Sequence, residues 1–512
     1  MASESFYITT PIYYVNAKPH LGHTYTTMVC DTMARYMRQR NREVFFLTGT
    51  DEHGDKIARS AEKAGLDYYT FATQNATAFR ETWEKLHISF NDFIRTTEER
   101  HKKVVQTVLQ KIYEKGDIYL SDYEGKYCFG CERYLTEKEL TPEGNCPDHQ
   151  VPPTPLKETN YFFKLQKYLP LLRKELEKNP ELIFPNGYYR ETLGAIDELI
   201  KLGEDLSISR PKKRLKWGIE LPFDSDFVTY VWFDALLNYL TGIGYPKEDP
   251  FPRFWPQAHH VIAKDILKPH AIYWPCMLMA AELPLYKRLM VHGYWLGMDD
   301  LKMSKSLGNA AEPLSLAEKI SEDGMRYFLL REMHFGQDAR FSDNILEMRL
   351  NQDLANNLGN LIQRVLSMLK KYAPPRPNVL EHPLFSKIEG FLQQIKDNYH
   401  KAMADFQFHE ALEEIMSLAR FLNQQIEVYR PWDLAKKNDA SLGPFLYILT
   451  KSIVVILIYL EPFLPNKSKE FLELLLEKKQ RNFPESLHDI ELKEKIPKSW
   501  PVFFNRLSLA SS

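Results

Sequence analysis

Four consecutive apolar residues, Val44-Phe45-Phe46-Leu47, leave a strand no polar face to turn to water. Such a run fits a parallel strand covered on both sides, because parallel sheets carry crossover helices on their faces. A second short run, Phe6-Tyr7-Ile8-Thr9, precedes it. Between the two, Tyr25, Val29, Met33 and Tyr36 recur at helical spacing. Strand, helix and strand in that order predict an α/β fold. In open sheets of this kind, ligands bind beyond the carboxyl ends of the strands. The segment Thr48-Gly49-Thr50-Asp51-Glu52-His53-Gly54, which follows the apolar run, is therefore a candidate binding loop. Asp51 there suits a cationic group of a substrate. Its alternative role is to cap the next helix.

The first helical segment opens on His20-Leu21-Gly22-His23. The free N–H groups of a helix start attract phosphate, and Gly22 lets a ligand approach the backbone. His20 and His23 add side-chain donors, although two incidental histidines near a cap would give the same four letters. Far downstream, Lys302-Met303-Ser304-Lys305-Ser306 follows the apolar Leu289-Met290-Val291 and the turn-prone Gly297-Met298-Asp299-Asp300. Two lysines and two serines on one loop suit a polyphosphate, with lysine acting as a point charge. Surface loops also hold lysine and serine for solubility alone.

At 512 residues the chain should hold several domains, and 44% hydrophobic content excludes global disorder. A formal net charge of −2 excludes any overall attraction to nucleic acid, so such a surface must be local. One candidate is Arg210, Lys212, Lys213, Arg214 and Lys216, which equally fits a solvated loop. Met1-Ala2-Ser3-Glu4-Ser5 has neither a basic apolar leader pattern nor an arginine-rich one. The run Ile453–Leu460 is too short for a membrane span and predicts a buried helix, so no membrane association is expected.

Of five cysteines, three cluster. Cys128-Phe129-Gly130-Cys131 is followed fourteen residues later by Cys146-Pro147-Asp148-His149. Two ligand pairs, each separated by two residues, can wrap one tetrahedral zinc with three thiolates and one imidazole. Four protein ligands leave no open position, so this zinc is expected to be structural. A strand-like stretch follows at Thr159–Leu165, then a helix from about Leu169 to Lys178. Residues 116 to about 228 thus look like an insertion between two halves of a sheet. The second half resumes at Phe227–Asp234, with a further strand at His259–Ala263 and a segment bearing Ile266, His270, Tyr273 and Trp274. From Asn344 onward helical periodicity dominates, with Leu350, Leu354, Asn357, Leu361 and Val365 on one face. Pro374-Pro375-Arg376-Pro377 interrupts it, and helices are predicted over 384–403, 408–428, 443–464 and 467–478.

The His20–His23 and Lys302–Ser306 stretches together resemble the two signatures of the class I aminoacyl-tRNA synthetases. The first departs only in having Leu21 where the family's usual word has isoleucine. Over nearly the whole chain the likeness is to the methionyl-tRNA synthetase family. Thr10-Pro11-Ile12-Tyr13-Tyr14-Val15-Asn16 leads into the histidine signature as it does there. The cysteine knuckle is similar to that of bacterial members with a single zinc, and there is no room for the large editing insertion of the isoleucyl, valyl and leucyl relatives.

The resemblance implies an α/β, Rossmann-like nucleotide-binding domain with an inserted zinc-knuckle connective domain, followed by an α-helical bundle. Its expected boundaries are 1–115 for the first catalytic half, 116–228 for the connective insertion and 229–298 for the second half. Residues 299–355 would be the Lys302–Ser306 loop and linking segment, and 356–512 the anticodon-binding domain. It also implies activation of L-methionine by ATP with Mg2+ and transfer to tRNA(Met) in the cytoplasm. His20, Gly22, His23 and Lys305 would hold ATP, with Lys302 helping Lys305 to stabilise the departing pyrophosphate. Asp51 would fix the methionine ammonium, and Ile12, Tyr14, Trp232, Ala235, Tyr239 and His270 would wall the side chain. Asn360, Arg364 and Trp432 would read the anticodon, and Cys128, Cys131, Cys146 and His149 would hold the zinc. The chain ends shortly after the predicted bundle, without the appended domain that dimerises some relatives, so a monomer is expected. A small nucleotidyltransferase shares the His-x-Gly-His turn, but lacks the zinc insertion and the helical tail. A non-catalytic tRNA-binding relative is the third possibility; its phosphate-binding residues would be free to decay.

Overall fold

The computed structural model describes residues 4–128, 133–135, 137–147, 150–247, 249–298, 312–372, 377–478, 482–494 and 499–509. The chain forms two compact units, one from Glu4–Pro19 and Val44–His292, the other from His20–Glu43 and Gly293–Ser512.

In the first unit the strands are, in chain order, β1 (Ser5–Thr9), β2 (Tyr13–Tyr14), β3 (Glu43–Asp51), β4 (Asp92–Arg95), β5 (Ile118–Cys128), β6 (Arg133–Leu135), β7 (Thr154–Phe163), β8 (Ile183–Phe184), β9 (Leu206–Ser207), β10 (Ser209–Pro211), β11 (Glu220–Leu221), β12 (Asp224–Thr229), β13 (Ala258–Ala263) and β14 (Arg288–His292). The principal sheet has seven strands in the order β2-β3-β1-β13-β14-β8, with β4 on β3. Its pairs β1–β13, β13–β14, β14–β8, β2–β3 and β3–β4 are all parallel. Tyr7, Phe46, Leu47, Val261, Ile262, Leu289 and Val291 are fully buried in it, as the two-sided apolar runs require.

β3 continues past Leu47 to Asp51, through residues expected to form the loop. Two strands hold the extension: Thr48, Gly49 and Thr50 pair with Phe93, Ile94 and Arg95, while Thr50 and Asp51 pair with Tyr13 and Tyr14. The Thr48 hydroxyl meets that of Thr10 at 2.8 Å, so the polar residue stays satisfied inside the sheet. A Cβ on Gly49 would lie 2.0 Å from the Ile94 carbonyl oxygen, so only glycine fits there. Asp51 is therefore the last residue of a strand. Gly54, not Asp51, is the N-cap of the helix Asp55–Ala64.

The inserted region builds a four-stranded sheet, β6-β5-β7-β9, and a three-stranded sheet, β10-β12-β11. β5 and β7 pair antiparallel from Ile118 with Phe163 to Tyr127 with Thr154. The helix expected from Leu169 begins at Leu165 and runs to Lys178, with Pro170 inside it. Its first turn is secured from outside, because the Gln166 N–H donates to Asp205 Oδ1 at 3.0 Å. Ile183 and Phe184, in the middle of this stretch, return to the principal sheet as its edge beside Leu289 and Met290.

The second unit is helical, with helices including Leu21–Gln39, Glu322–Glu332, Asn360–Tyr372, Pro383–Ala404, Phe408–Tyr429, Leu442–Leu460 and Pro465–Leu475. Leu442–Leu460 is long and apolar enough to cross a membrane by length alone, but 78% of its most apolar window is buried in the protein. It forms the bundle's core, as the Ile453–Leu460 run predicted. Tyr25, Val29, Met33 and Tyr36 on Leu21–Gln39 are all buried. Asp31 on the same helix lies 2.7 Å from Arg326 Nη1 in the interior.

Candidate functional site

The helix Leu21–Gln39 starts with an unusual cap. His20, in extended backbone, is the N-cap, and its Nδ1 accepts the Gly22 N–H at 3.1 Å. His23 Nδ1 accepts the His20 N–H at 3.4 Å. This is the reciprocal arrangement usually made by serine and glutamate, here made by two histidines. The rings stack at 3.7 Å between centroids. Since both Nδ1 atoms accept, each imidazole carries its proton on Nε2 and presents a donor there. The first turn holds no acidic residue, so its partial positive charge is not cancelled locally. Gly22 is inside the first turn. A Cβ there would come within 3.0 Å of the His20 ring, so the small residue makes room for the capping ring. Lys302 and Lys305 lie outside the described residues.

In the unit built on the parallel sheet, Asp51 stands at the carboxyl end of β3, 3% exposed, beside Tyr14 in the neighbouring strand. Its successor Glu52 is locked in place. Arg95 donates to it twice, at 2.7 and 3.0 Å, and the hydroxyls of Thr50 and Thr97 donate at 2.7 and 2.5 Å. The Trp217 indole N–H donates to the Glu52 carbonyl. Tyr14 is half-buried, with the Lys56 ammonium 5.7 Å from its ring centre, and Ile12 packs on the sheet's core.

Trp232 and Ala235 lie on the short helix Val231–Ala235, and Tyr239 on Asn238–Thr241. His270 occupies a wide π-helical turn, Pro269–Tyr273, a distortion found often at functional sites. Its Nδ1 faces the Ile266 carbonyl at 2.9 Å and so carries the proton, which leaves Nε2 to accept from the Tyr239 hydroxyl at 2.8 Å. Burial drops the His270 pKa to about 4, the Ile266 carbonyl offsetting only part of that, so the ring is neutral at physiological pH. Trp232 meets His270 edge to face at 6.0 Å. Behind Tyr239, His260 takes the Trp274 N–H on Nε2 at 3.3 Å and donates from Nδ1 to Thr9 at 2.8 Å. Trp232, Tyr239 and His270 thus form one aromatic wall, and Tyr14 and Asp51 form another at the strand ends.

Sequence reasoning missed His53, His101 and Asp234. His53 Nδ1 lies 2.6 Å from Asp234 Oδ2, and His101 Nε2 lies 2.7 Å from Asp234 Oδ1. Burial raises the Asp234 pKa, but the charge of His53 and the hydrogen bonds of both histidines outweigh it and hold the group at about 2. The Thr-Asp-Glu-His and Trp-Phe-Asp-Ala segments were both in view as strings. Nothing in either indicates a partner 181 residues away.

Three of the five residues of the basic cluster have partners within the fold. Arg210 is buried, its guanidinium 4.8 Å from the Tyr230 ring centre and bonded to the Ser209 carbonyl at 2.6 Å. Arg214 bridges Asp55 and Glu158 at 2.7 and 3.1 Å, and Lys212 pairs with Glu220.

Of the expected zinc ligands, Cys128 and Cys146 are described, and both are buried in one apolar cluster with Leu135. The Gln150 N–H donates to the Cys146 carbonyl at 2.8 Å. Cys131 and His149 lie outside the described residues. Among the described residues no group of three or more histidine, cysteine or carboxylate side chains is placed to hold a metal.

In the helical unit, Asn360 opens the helix Asn360–Tyr372 and is exposed. One turn on, Arg364 Nη2 donates to Glu427 Oε1 at 2.6 Å. Trp432 lies half-buried on the helix Pro431–Lys436, just after Arg430, which turns the chain at φ 47°.

The model of the family "tRNA synthetases class I (M)" matches residues 6–154 and 148–366, and "Anticodon-binding domain of tRNA ligase" matches 386–508. A methionine–tRNA ligase of Deinococcus radiodurans is 46% identical over 483 residues, covering 92% of this chain and 70% of the relative. One from Clostridium tetani is 41% identical over 483 residues, covering 93% and 74%. The structure of Mycobacterium tuberculosis methionyl-tRNA synthetase in complex with methionyl-adenylate superposes with a TM-score of 0.90 at 36% identity, covering 98% of this chain and 99% of that one.

Proposed function

The chain belongs to the class I methionine–tRNA ligases, and from that premise we propose how its own residues divide the work of the reaction. It activates methionine with ATP and esterifies the product to tRNA. The methionine carboxylate attacks the α-phosphorus, the bond to the bridging oxygen breaks, and pyrophosphate leaves. A ribose hydroxyl of the terminal tRNA adenosine then attacks the mixed anhydride and releases AMP. Catalysis of this kind rests on positioning and charge stabilisation.

The observation that carries the assignment of ATP is the double-histidine cap. It fixes two imidazoles, each with its proton on Nε2, at a helix start whose first turn holds no acidic residue. His20 and His23 with Gly22 take the phosphates, bound as the magnesium complex, and Lys305 with Lys302 balances the pyrophosphate as it departs. Asp51 receives the methionine ammonium, while Ile12, Tyr14, Trp232, Ala235, Tyr239 and His270 surround the side chain. Aromatic walls suit a polarizable thioether, which is a weak acceptor. Asn360, Arg364 and Trp432 meet the anticodon of tRNA(Met), where the indole stacks on an unstacked base. The domain limits are those expected above, and the enzyme works as a cytoplasmic monomer.

ATP–pyrophosphate exchange tests the specificity. Methionine should stimulate it strongly, and a close apolar analogue missing one interaction should do so about 10- to 200-fold less efficiently. Equal stimulation by an unrelated amino acid would overturn the reading.

Cys128, Cys131, Cys146 and His149 would hold one zinc. The burial of Cys128 and Cys146 in one cluster fits that role. Its contribution is to stiffen the inserted region. The purified protein should contain about one zinc per chain, and Cys146→Ser should lower both the metal content and the melting temperature. A metal-free protein of unchanged stability would refute the site.

A further inference from the structure

The two walls assigned to methionine are joined by a carboxylate with no part in the chemistry. Asp234 is 1% exposed and lies between Trp232 and Ala235 on a helix of five residues, Val231–Ala235. A helix that short does not hold itself in place, because too few hydrogen bonds offset its ordering. Its orientation must come from tertiary contacts. Asp234 supplies two of them, to His53 at 2.6 Å and to His101 at 2.7 Å. His53 is two residues beyond Asp51, and between them Glu52 is fixed by Arg95, Thr50 and Thr97. His101 belongs to the helix Glu99–Glu114, and its Nδ1 lies 3.1 Å from Thr241 Oγ1, two residues after Tyr239. One carboxylate therefore ties together the segments that carry Asp51, Trp232, Ala235 and Tyr239.

We propose that Asp234, held between His53 and His101, is a positioning residue that sets the distance between the ammonium end and the side-chain end of the methionine site. The proposal rests on the assignment of Asp51 and Trp232 to methionine given above. A bound amino acid spans both walls, so a shift of one against the other misplaces its carboxylate relative to the α-phosphorus. Misplacements of about 1 Å cost on the order of a hundredfold in such reactions. ATP, assigned to other residues, is insensitive to the shift.

The test compares His53→Ala, His53→Asn and Asp234→Asn in ATP–pyrophosphate exchange, with Asp51→Asn and Trp232→Ala as controls. The asparagine amide nitrogen occupies nearly the place of the imidazole Nδ1, so H53N keeps the donor and H53A does not. H53A and D234N should raise the KM for methionine and lower the turnover number, together costing about 10- to 100-fold in kcat/KM, leave the KM for ATP within about twofold, and H53N should recover most of the loss. A purely structural role would move both KM values or the melting temperature alone, and H53N would be no better than H53A; either result overturns the proposal. Should D234N not fold, the H53A and H53N pair decides the matter alone. If the controls raise the KM for methionine and the His53 variants do not, the clamp is wrong and the pocket stands. Controls that leave that KM unchanged remove the pocket and the proposal together.

Discussion

Replacing His23 by alanine should lower the turnover number of methionyl-adenylate formation by about 10²- to 10³-fold, the usual cost of one preorganised donor to a developing anion. The KM for methionine should stay within about twofold, because the residues assigned to the amino acid are different ones. His23 does two things at once: its Nδ1 accepts the His20 N–H at 3.4 Å, and its Nε2 is left as a donor. Two further variants separate them. Asparagine places an amide group near Nδ1, so H23N should keep the cap and its share of stability, about 1 kcal/mol, while losing turnover. Glutamine reaches the position of Nε2, so H23Q should recover turnover while weakening the cap. Melting curves and pyrophosphate exchange on the same preparations read both effects. If H23A turned over normally, the histidine pair would be a cap and nothing more.

Asp31→Ala should cost the helical unit about 3–5 kcal/mol of stability, the penalty for leaving a buried charge without its partner. Asp31 is fully buried, and its Oδ2 lies 2.7 Å from both Arg35 Nε and Arg326 Nη1. Arg326 is also inside, donating to the carbonyls of Phe463 and Pro462 at 3.0 Å and to the Thr32 hydroxyl at 3.2 Å. Those neutral acceptors satisfy its Nε and Nη2 hydrogens but neither reach Nη1 nor balance its charge. Removing both charges in Asp31→Ala/Arg326→Met should therefore restore most of the loss. Denaturant midpoints of the single and double variants decide the matter. A double variant no more stable than Asp31→Ala alone would mean that lost packing, not the stranded charge, sets the cost.

Much of the architecture was written locally. The runs Phe6–Thr9, Val44–Leu47, His259–Ala263 and Leu289–Val291 are strands because each is short and mostly apolar, as a strand covered on both faces of a parallel sheet must be. The late helices fell within a few residues of their predicted limits, because their apolar positions repeat at the helical period and a proline opens two of them, at Pro383 and Pro465. Where limits moved, the cause was distant. β3 gained Thr48–Asp51 because β2 and β4 offered partners for polar residues that read as loop. The helix at Leu165 gained a turn because Asp205 caps it from across the inserted region.

The amino-acid order alone determined the class of fold and the likeness to the methionine–tRNA ligases, and it named the candidate residues for each substrate. These depend on short words and short periods, and such signals survive in one dimension. Tertiary structure alone decided the tautomers of His20, His23 and His270, the internal pairing of Arg210 and Arg214, and the His53–Asp234–His101 clamp. The physical reason is the reach of the forces involved. A buried charge or imidazole takes its character from whatever lies within about 3 Å, and in a folded chain such neighbours can stand far off in sequence, as Asp234 does from His53 and His101.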